Sequence, residues 1–124
     1  MDITPLIPAG RQIIKSYGDG GFRISGTRHD GSVLIFPVQT LLWPVVDVEA
    51  MTEEALAAVA LAEPKVEILL LGTGARLRTI PAALRRSLRG LGVGLDVMDT
   101  GAACRTYNVL LAEDRRVAAA LIAV

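Results

Sequence analysis

Apolar and polar residues alternate over the first third of the chain, and this pattern predicts an antiparallel β-meander over residues 11–46. Glycine-rich segments separate the runs, and Asp30-Gly31 between two apolar runs is typical of a hairpin turn. Residues 1–10 contain two prolines and a glycine, which indicates an irregular lead-in. The predicted strands cover residues 12–17, 22–25, 33–36 and, less regularly, 41–46.

From residue 52 onwards the pattern changes to alternating helices and strands. Thr52 is a typical helix N-cap, and Pro64 ends the helix that follows it. Pro81 suits the first turn of a second helix, and Thr100 is predicted to cap a third. The predicted elements are a helix at 55–62, a buried strand at 66–71, a helix at 82–91, a strand at 95–98 and a helix from 100 to about 112. Residues 115–124 fit a helix by their alanines and a strand by their branched residues.

These elements predict an α/β protein with a meander followed by α-β-α-β-α and one terminal element. The 124 residues suit a single domain over 1–124, with no internal repeat and no linker. Hydrophobic residues make up 52% of the chain and aromatic residues only 4%, so the core is expected to be large and aliphatic.

The charge balance narrows the expected partners. With 13 basic and 13 acidic residues the formal net charge is zero, so no general attraction to nucleic acid or to anionic membranes is expected. Five arginines and no acidic residue lie between Ala75 and Gly90, which predicts one local basic patch. A single cysteine, Cys104, and a single histidine, His29, exclude an internal disulfide and most zinc geometries. Neither a metal nor a cofactor is therefore expected.

The sequence also bears on location. No basic and apolar leader opens the chain, and every apolar run is far shorter than a membrane span. We expect a soluble protein of a reducing, cytoplasmic compartment.

The triplet Asp99-Thr100-Gly101 matches the catalytic triplet of aspartic proteases. In those enzymes the triplet lies early and mostly β structure follows it. Here only 23 residues follow Gly101, and much of that segment is predicted to be helical. The context favours a strand end that leads into a helix, and we assign no catalytic residue.

The segment Gly72-Thr73-Gly74 follows an apolar strand, as in dinucleotide-binding loops. The third glycine of that fingerprint would fall at Leu77, the next helix begins near Pro81, and no regular crossover to the next strand is predicted. A tight turn is the favoured interpretation. The alternative is a binding site for a small anion, formed by the two glycines, Thr73 and the nearby arginines.

The third helix carries three residues that need an explanation. Cys104 is expected to pack as a small buried hydrophobe, the alternative being a thiol activated near a helix N-terminus. Thr106 and Asn108 are unfavourable in a helix interior. Their polar groups either satisfy buried backbone or line a cleft.

Two segments read together carry a family resemblance: "LLLGTG", followed by "IP" at a helix start, and "GVGLDVMDTGAACRTYNVLLAEDRRVAAALI". With the upstream "GDGGFRISG" and "GSVLIFP", they resemble a family of small domains that includes assembly factor 3 of mitochondrial NADH:ubiquinone oxidoreductase (complex I) and bacterial and archaeal relatives. The resemblance covers residues 11–124.

The resemblance implies a three-layer α/β fold, with a central mixed sheet flanked by helices and an N-terminal antiparallel meander. It implies that 72–74 ends one central strand, that 99–103 ends its neighbour, and that 115–124 is mainly a strand. The two loops would then meet at the carboxyl ends of adjacent strands, where ligands bind in open α/β sheets.

The resemblance implies no established enzyme activity, and its mitochondrial members build a membrane-bound complex through protein contacts. We therefore expect a non-enzymatic interaction or assembly protein that acts with protein partners, at the inner face of a membrane through those partners. The alternative is a small-molecule or anion-binding protein, enzymes included, that uses the crevice between the 72–74 and 100–103 loops. The candidate site residues are Gly72, Thr73, Gly74, Thr100, Gly101, Ala103, Thr106 and Asn108.

Overall fold

A computed structural model describes residues 9–124, and the predicted lead-in over 1–10 therefore lies mostly outside the described residues. Strands from the first third of the chain divide between two sheets. The first sheet is antiparallel and contains β1 (Ile14–Gly18), β2 (Gly21–Ile24) and β3 (Thr27–Asp30). The next hairpin, β4 (Val33–Phe36) and β5 (Gln39–Leu42), belongs to the second sheet.

The N-terminal antiparallel meander is confirmed as β1, β2 and β3, but two of the predicted details within residues 11–46 were wrong. Residues 41–46 were predicted as the fourth strand, whereas β5 begins at Gln39 and ends at Leu42. The predicted hairpin turn at Asp30-Gly31 instead connects β3 to β4, which belong to different sheets. The β2–β3 hairpin turn is made by Ser25 and Gly26, with φ of 46° and 89°. Left-handed φ values at both central positions suit a tight hairpin turn.

The second half alternates helices and strands as predicted, with one change of helix type. Thr52 caps a 3₁₀ helix, Glu53–Leu56, by accepting a hydrogen bond from the amide of Ala55, and this leads into the short α1. The elements are α1 (Ala57–Ala60), β6 (Ile68–Gly72), α2 (Ala82–Gly90), β7 (Gly94–Met98), α3 (Thr100–Ala112) and β8 (Val117–Leu121).

The second sheet is mixed and has the strand order β5-β4-β8-β6-β7. β6 runs parallel to both neighbours, β7 and β8, whereas β4 runs antiparallel to β5 and β8. β6, α2 and β7 thus form a parallel crossover unit, which the sequence interpretation did not anticipate. The α/β class with a mixed sheet flanked by helices is confirmed.

Helices and the small sheet cover the two faces of the mixed sheet. Leu69 and Leu71 of β6 pack on one face with Leu84 and Leu88 of α2. The opposite face packs against α3 and the three-stranded sheet, with Tyr107 at its centre. These are the three layers that the resemblance implied.

The last strand shows why the terminal segment was ambiguous. β8 pairs with β4 on one side and β6 on the other, and all five of its residues are buried. Three of them are alanines, which have helix propensity but also let the layers on both faces approach closely. Pairing on both sides decides the conformation, and the strand implied by the resemblance is confirmed.

Candidate functional site

The 72–74 and 99–103 segments meet at the carboxyl ends of β6 and β7, and we call this contact the loop junction. The amide of Thr73 donates to the carbonyl of Met98 (2.9 Å), and the amide of Thr100 donates to the carbonyl of Gly74 (2.9 Å). Two backbone hydrogen bonds therefore join the two loops directly.

Thr100 lies at the centre of the loop junction and is fully buried, with 0% of its surface exposed. Its hydroxyl donates to the carbonyl of Ile122 (2.7 Å) and accepts from the amide of Gly74 (2.9 Å). The amide of Ile122 in turn donates to the carbonyl of Gly72 (3.0 Å). One hydroxyl thus ties together the ends of three segments: the 72–74 loop, the start of α3 and the chain after β8.

The prediction that Thr100 caps α3 was wrong by one residue. Asp99 is the N-cap, because its carboxylate accepts a hydrogen bond from the amide of Ala102 (2.9 Å). A carboxylate at this position also suits the positive end of the helix dipole. The hydroxyl of Thr100 points into the loop junction instead.

Packing at Gly72 closes the loop junction further. A Cβ atom at this position would lie 2.9 Å from the Cα of Thr100, a distance that van der Waals contact does not allow. Gly72, Thr73, Gly74 and Ala103 are all buried. The glycine is needed for close approach of two backbones, and the predicted crevice is occupied by protein at these residues.

Thr73 shapes the exposed loop that follows the loop junction. Its hydroxyl donates to the carbonyl of Arg76 (2.8 Å) and accepts from the amide of Arg78 (3.0 Å). This folds the loop back and places Arg76, Leu77 and Arg78 on the surface. Arg78 pairs there with Glu49 at 3.0 Å.

Thr106 and Asn108 lie on opposite flanks of α3, since two helical positions are about 200° apart. Asn108 faces β1: its Oδ1 accepts from the amide of Ile14 (3.0 Å) and its Nδ2 donates to the carbonyl of Ile14 (2.8 Å). The side-chain amide therefore joins the three-stranded sheet to α3. Thr106 is half-buried on the other flank, so the structure does not bring these two residues together.

Gly101 contacts a residue that sequence reasoning did not select. A Cβ atom on Gly101 would meet the hydroxyl of Tyr17 at 2.5 Å, so the tyrosine ring end lies directly over the start of α3. Arg105, one turn further along, donates to the same hydroxyl at 3.3 Å. Tyr17 and the glycine could have been linked only by knowing that β1 packs beside α3.

The expectation that Cys104 packs as a hydrophobe is confirmed. Burial raises the pKa of the Cys104 thiol to about 12, against a smaller lowering effect of the Arg105 charge. A thiol with this pKa is not a nucleophile near neutral pH. Tyr107, one turn along, is fully buried, and its hydroxyl is without a hydrogen-bond partner among the described residues. Burial likewise raises the pKa of that hydroxyl.

A cavity lies at the opposite end of the parallel strands, where β6 and β8 begin. It has a volume of about 480 Å³ and an apolar floor that includes Phe36, Val66 and Leu111. Its rim is charged, with an ion pair between Arg115 and Glu67 at 3.0 Å. The other charged lining residues are Arg11, Glu63, Asp114 and Arg116. The only sequence signal for it was the charged run 113–116 between α3 and β8.

Among residues 9–124, no helix has the length and apolar character needed to cross a membrane. Within the same residues no three His, Cys, Asp or Glu side chains gather closely enough to hold a metal ion.

The fold is shared with solved structures of other proteins. A solved structure of an outer membrane protein from Bartonella henselae superimposes with a TM-score of 0.85 at 42% identity, covering 93% of this chain and 97% of that one. A Bordetella pertussis protein described as a Mth938-like domain superimposes with a TM-score of 0.80 at 30% identity, covering 98% and 92% of the two chains. The fold is therefore Mth938-like.

The family follows from the sequence itself. Residues 14–122 match the model of the DUF498/DUF598 family, proteins of unknown function, and the chain belongs to this family. It is similar to NADH dehydrogenase [ubiquinone] 1 alpha subcomplex assembly factor 3 of Danio rerio, with 39% identity over 110 residues, 89% of this chain and 63% of that protein. The human protein of the same name is 36% identical over 88% of this chain and 59% of its own length. An uncharacterised Rhodobacter capsulatus protein is 41% identical over 92% of this chain and 86% of its own.

The resemblance to this family is thus confirmed. This chain spans about three fifths of the length of the animal assembly factors that it matches.

Proposed function

We propose that this protein is a non-enzymatic assembly factor that acts through protein contacts on a respiratory or other membrane-bound complex. The observation that carries the proposal is the similarity, over nearly nine tenths of the chain, to proteins named as assembly factors of NADH dehydrogenase. We further propose that it acts in the cytoplasm, at the inner face of the membrane, through its partners.

The hydrogen bonds of the loop junction support a structural role for Gly72, Gly74 and Thr100. Thr100, Gly74 and Ile122 satisfy one another's polar groups, so none of these groups is free to bind or activate a substrate. A preorganised active site, in contrast, directs unsatisfied donors at the reacting atoms. In this proposal the junction holds the surface loops in place.

Exposed apolar side chains support contacts with protein partners. Val38, Leu42 and Val46, on or beside β5, are 62%, 71% and 87% exposed, and Leu77 is 63% exposed on the loop held by Thr73. Exposed apolar side chains along one sheet edge, as on and beside β5, are typical of a surface that a partner covers.

Disruption of the gene in the organism that encodes it tests the proposal. Membranes of the disrupted strain are separated on native gels and stained for NADH dehydrogenase activity, with the restored gene as the control. We expect less complete complex and an accumulation of subcomplexes. Unchanged amounts of every membrane-bound respiratory complex would contradict the proposal.

The second candidate function is binding of a small molecule or anion. At the predicted crevice, backbone amides with Thr73, Thr106 and Asn108 would have to hold the ligand, and the bonds of the loop junction would have to break first. The cavity of about 480 Å³ needs no such change, and its volume is within the usual range for small-molecule sites.

A thermal-shift screen against metabolites and inorganic anions tests this alternative. Stabilisation that is lost on substitution of Arg11 or Arg116 would favour the cavity, whereas loss on Thr73→Val would favour the loop junction. If no compound raises the melting temperature, the second candidate is refuted.

A further inference from the structure

The outer edge of β7 is unpaired among residues 9–124. The amide of Gly94 donates to the carbonyl of Glu67 (2.9 Å), and the carbonyl of Met98 accepts from the amide of Thr73 (2.9 Å). Residues 94, 96 and 98 therefore bond to β6. Because successive residues turn their N–H and C=O groups to opposite sides, those of Leu95 and Val97 point outward. Such an edge is a template for an added strand.

A small pocket lies beside this edge. It has a volume of about 180 Å³ and is formed by Arg85 and Arg89 of α2 with Val93, Gly94 and Leu95. Leu95 packs into the core on the α2 side of the sheet, so the pocket lies on that side. A strand added to β7 would direct alternate side chains to the same side. One of them would enter between the two guanidinium groups.

Charge determines which side chain fits this pocket. Arg85, Arg86 and Arg89 lie on the exposed side of α2, opposite the buried Leu84 and Leu88. Among the described residues, none of the three arginines forms an ion pair. Asp96 alternates with Leu95 along β7 and therefore lies on the opposite side of the sheet. A carboxylate is the complementary partner for the paired guanidinium groups.

The other edge of the mixed sheet is less open. The amide of Gln12 donates to the carbonyl of Pro37 (2.8 Å), and its side-chain oxygen accepts from the hydroxyl of Thr40 (2.7 Å). Residue 12 therefore lies alongside β5. A second copy of this chain is a poor occupant of the β7 edge, since two-fold pairing would bring two Arg85–Arg89 pairs together.

We infer that β7 binds an extended acidic segment of a partner protein by strand addition, with an Asp or Glu side chain held between Arg85 and Arg89. The inference rests on the proposed role in protein contacts and gives the partner its chemistry. The outward groups of Leu95 and Val97 bind its backbone, and the guanidinium groups select its charge.

The test uses the whole ¹⁵N-labelled chain and an end-blocked peptide of alternating Glu and Val, followed by NMR. The matched peptide has Lys in place of Glu. The experiment is run at physiological salt, where screening acts over about 8 Å and separates local from general charge effects. We expect the Glu peptide to shift the amide signals of Leu95 and Val97 and to slow their hydrogen exchange, and the Lys peptide to do neither.

Two charge reversals on the same helix sharpen the test. Arg85→Glu removes a pocket residue and is expected to weaken binding roughly tenfold or more, because like charges now face each other. Arg86→Glu changes the net charge equally but lies outside the pocket, and it is expected to weaken binding less than about twofold. Arg85→Lys, which keeps the charge, should retain most of the binding.

Several results would overturn the inference: no binding, equal binding of the Lys peptide, shifts confined to β5, or equal effects of Arg85→Glu and Arg86→Glu. A dimer that buries β7, detected by light scattering, would also overturn it. If gene disruption impairs complex formation and the peptide does not bind, the edge site fails and the assembly role stands. If the peptide binds but gene disruption leaves complex formation unchanged, the edge site stands and the assembly role fails.

Discussion

Removal of the Thr100 hydroxyl is the most direct test of the role we assign to the loop junction. In Thr100→Val the side-chain shape is nearly unchanged, but the amide of Gly74 and the carbonyl of Ile122 lose their buried partner. Each unsatisfied buried group costs about 1–3 kcal/mol, so we expect a loss of about 2–5 kcal/mol in the free energy of unfolding. This is a large fraction of the stability of an ordinary domain.

Urea unfolding measures this loss. For a chain of this size the slope of free energy against urea is about 1–3 kcal/mol per molar, so the midpoint should fall by roughly 1–2 M with an unchanged slope. Hydrogen exchange provides a local measurement, because the amide of Gly74 should lose protection.

Two variants serve as controls. Thr100→Ser keeps the hydroxyl and loses one buried methyl, which costs about 1 kcal/mol. Thr106→Val makes the same chemical change on the same helix at a half-buried position, and its effect should stay within about 0.5 kcal/mol. The reasoning is refuted if Thr100→Val unfolds at the wild-type midpoint, or if Thr100→Ser is as unstable as Thr100→Val.

Three further predictions concern α3. Asn108→Ala removes both hydrogen bonds to the backbone of Ile14 and should destabilise the protein by about 1–3 kcal/mol, with faster amide exchange at Ile14; exchange and stability at wild-type values would contradict this. Tyr107→Phe removes a buried hydroxyl without a partner in the described structure, so the urea midpoint should stay or rise; a loss above about 1 kcal/mol would mean that the hydroxyl is satisfied. Since the folded Cys104 thiol has a pKa of about 12 against an ordinary 9.0, its contribution to stability is complete below pH 9 and declines between those values. Relative to Cys104→Ala, the wild type should therefore lose stability above pH 9, and a thiol reagent at pH 8 should react only as fast as the protein unfolds; immediate reaction would refute the burial.

Elements whose signal is local were predictable from the sequence. The helix that begins at Ala82 has leucines at helical spacing, and Pro81 marks its start, so its bounds were predicted to within a residue. β3 was missed because Thr27, Arg28 and Asp30 are exposed and polar, and only pairing with β2 makes this segment a strand. Alternation of apolar residues cannot reveal a strand that buries neither face.

The candidate site was likewise predictable only in part from the sequence. The two strand ends were correctly expected to bring the 72–74 and 99–103 loops together. How closely the loops approach depends on Gly72, because a Cβ atom there would collide with the backbone of Thr100. Asp99 and Thr100 are both good cap residues, and only the three-dimensional position of Ile122 decides which of them turns inward. The partner of Asn108 lies 94 residues away in sequence, beyond the reach of any local pattern.

Cross-linking of the tagged protein in its native membranes, followed by mass spectrometry, tests the central claim most directly. The account predicts cross-links to subunits or assembly intermediates of a membrane-bound respiratory complex, absent from a control tag. It also predicts that these cross-links decrease with Arg85→Glu and persist with Arg86→Glu. Recovery of the protein alone, with no such subunit above the control, would contradict an assembly role.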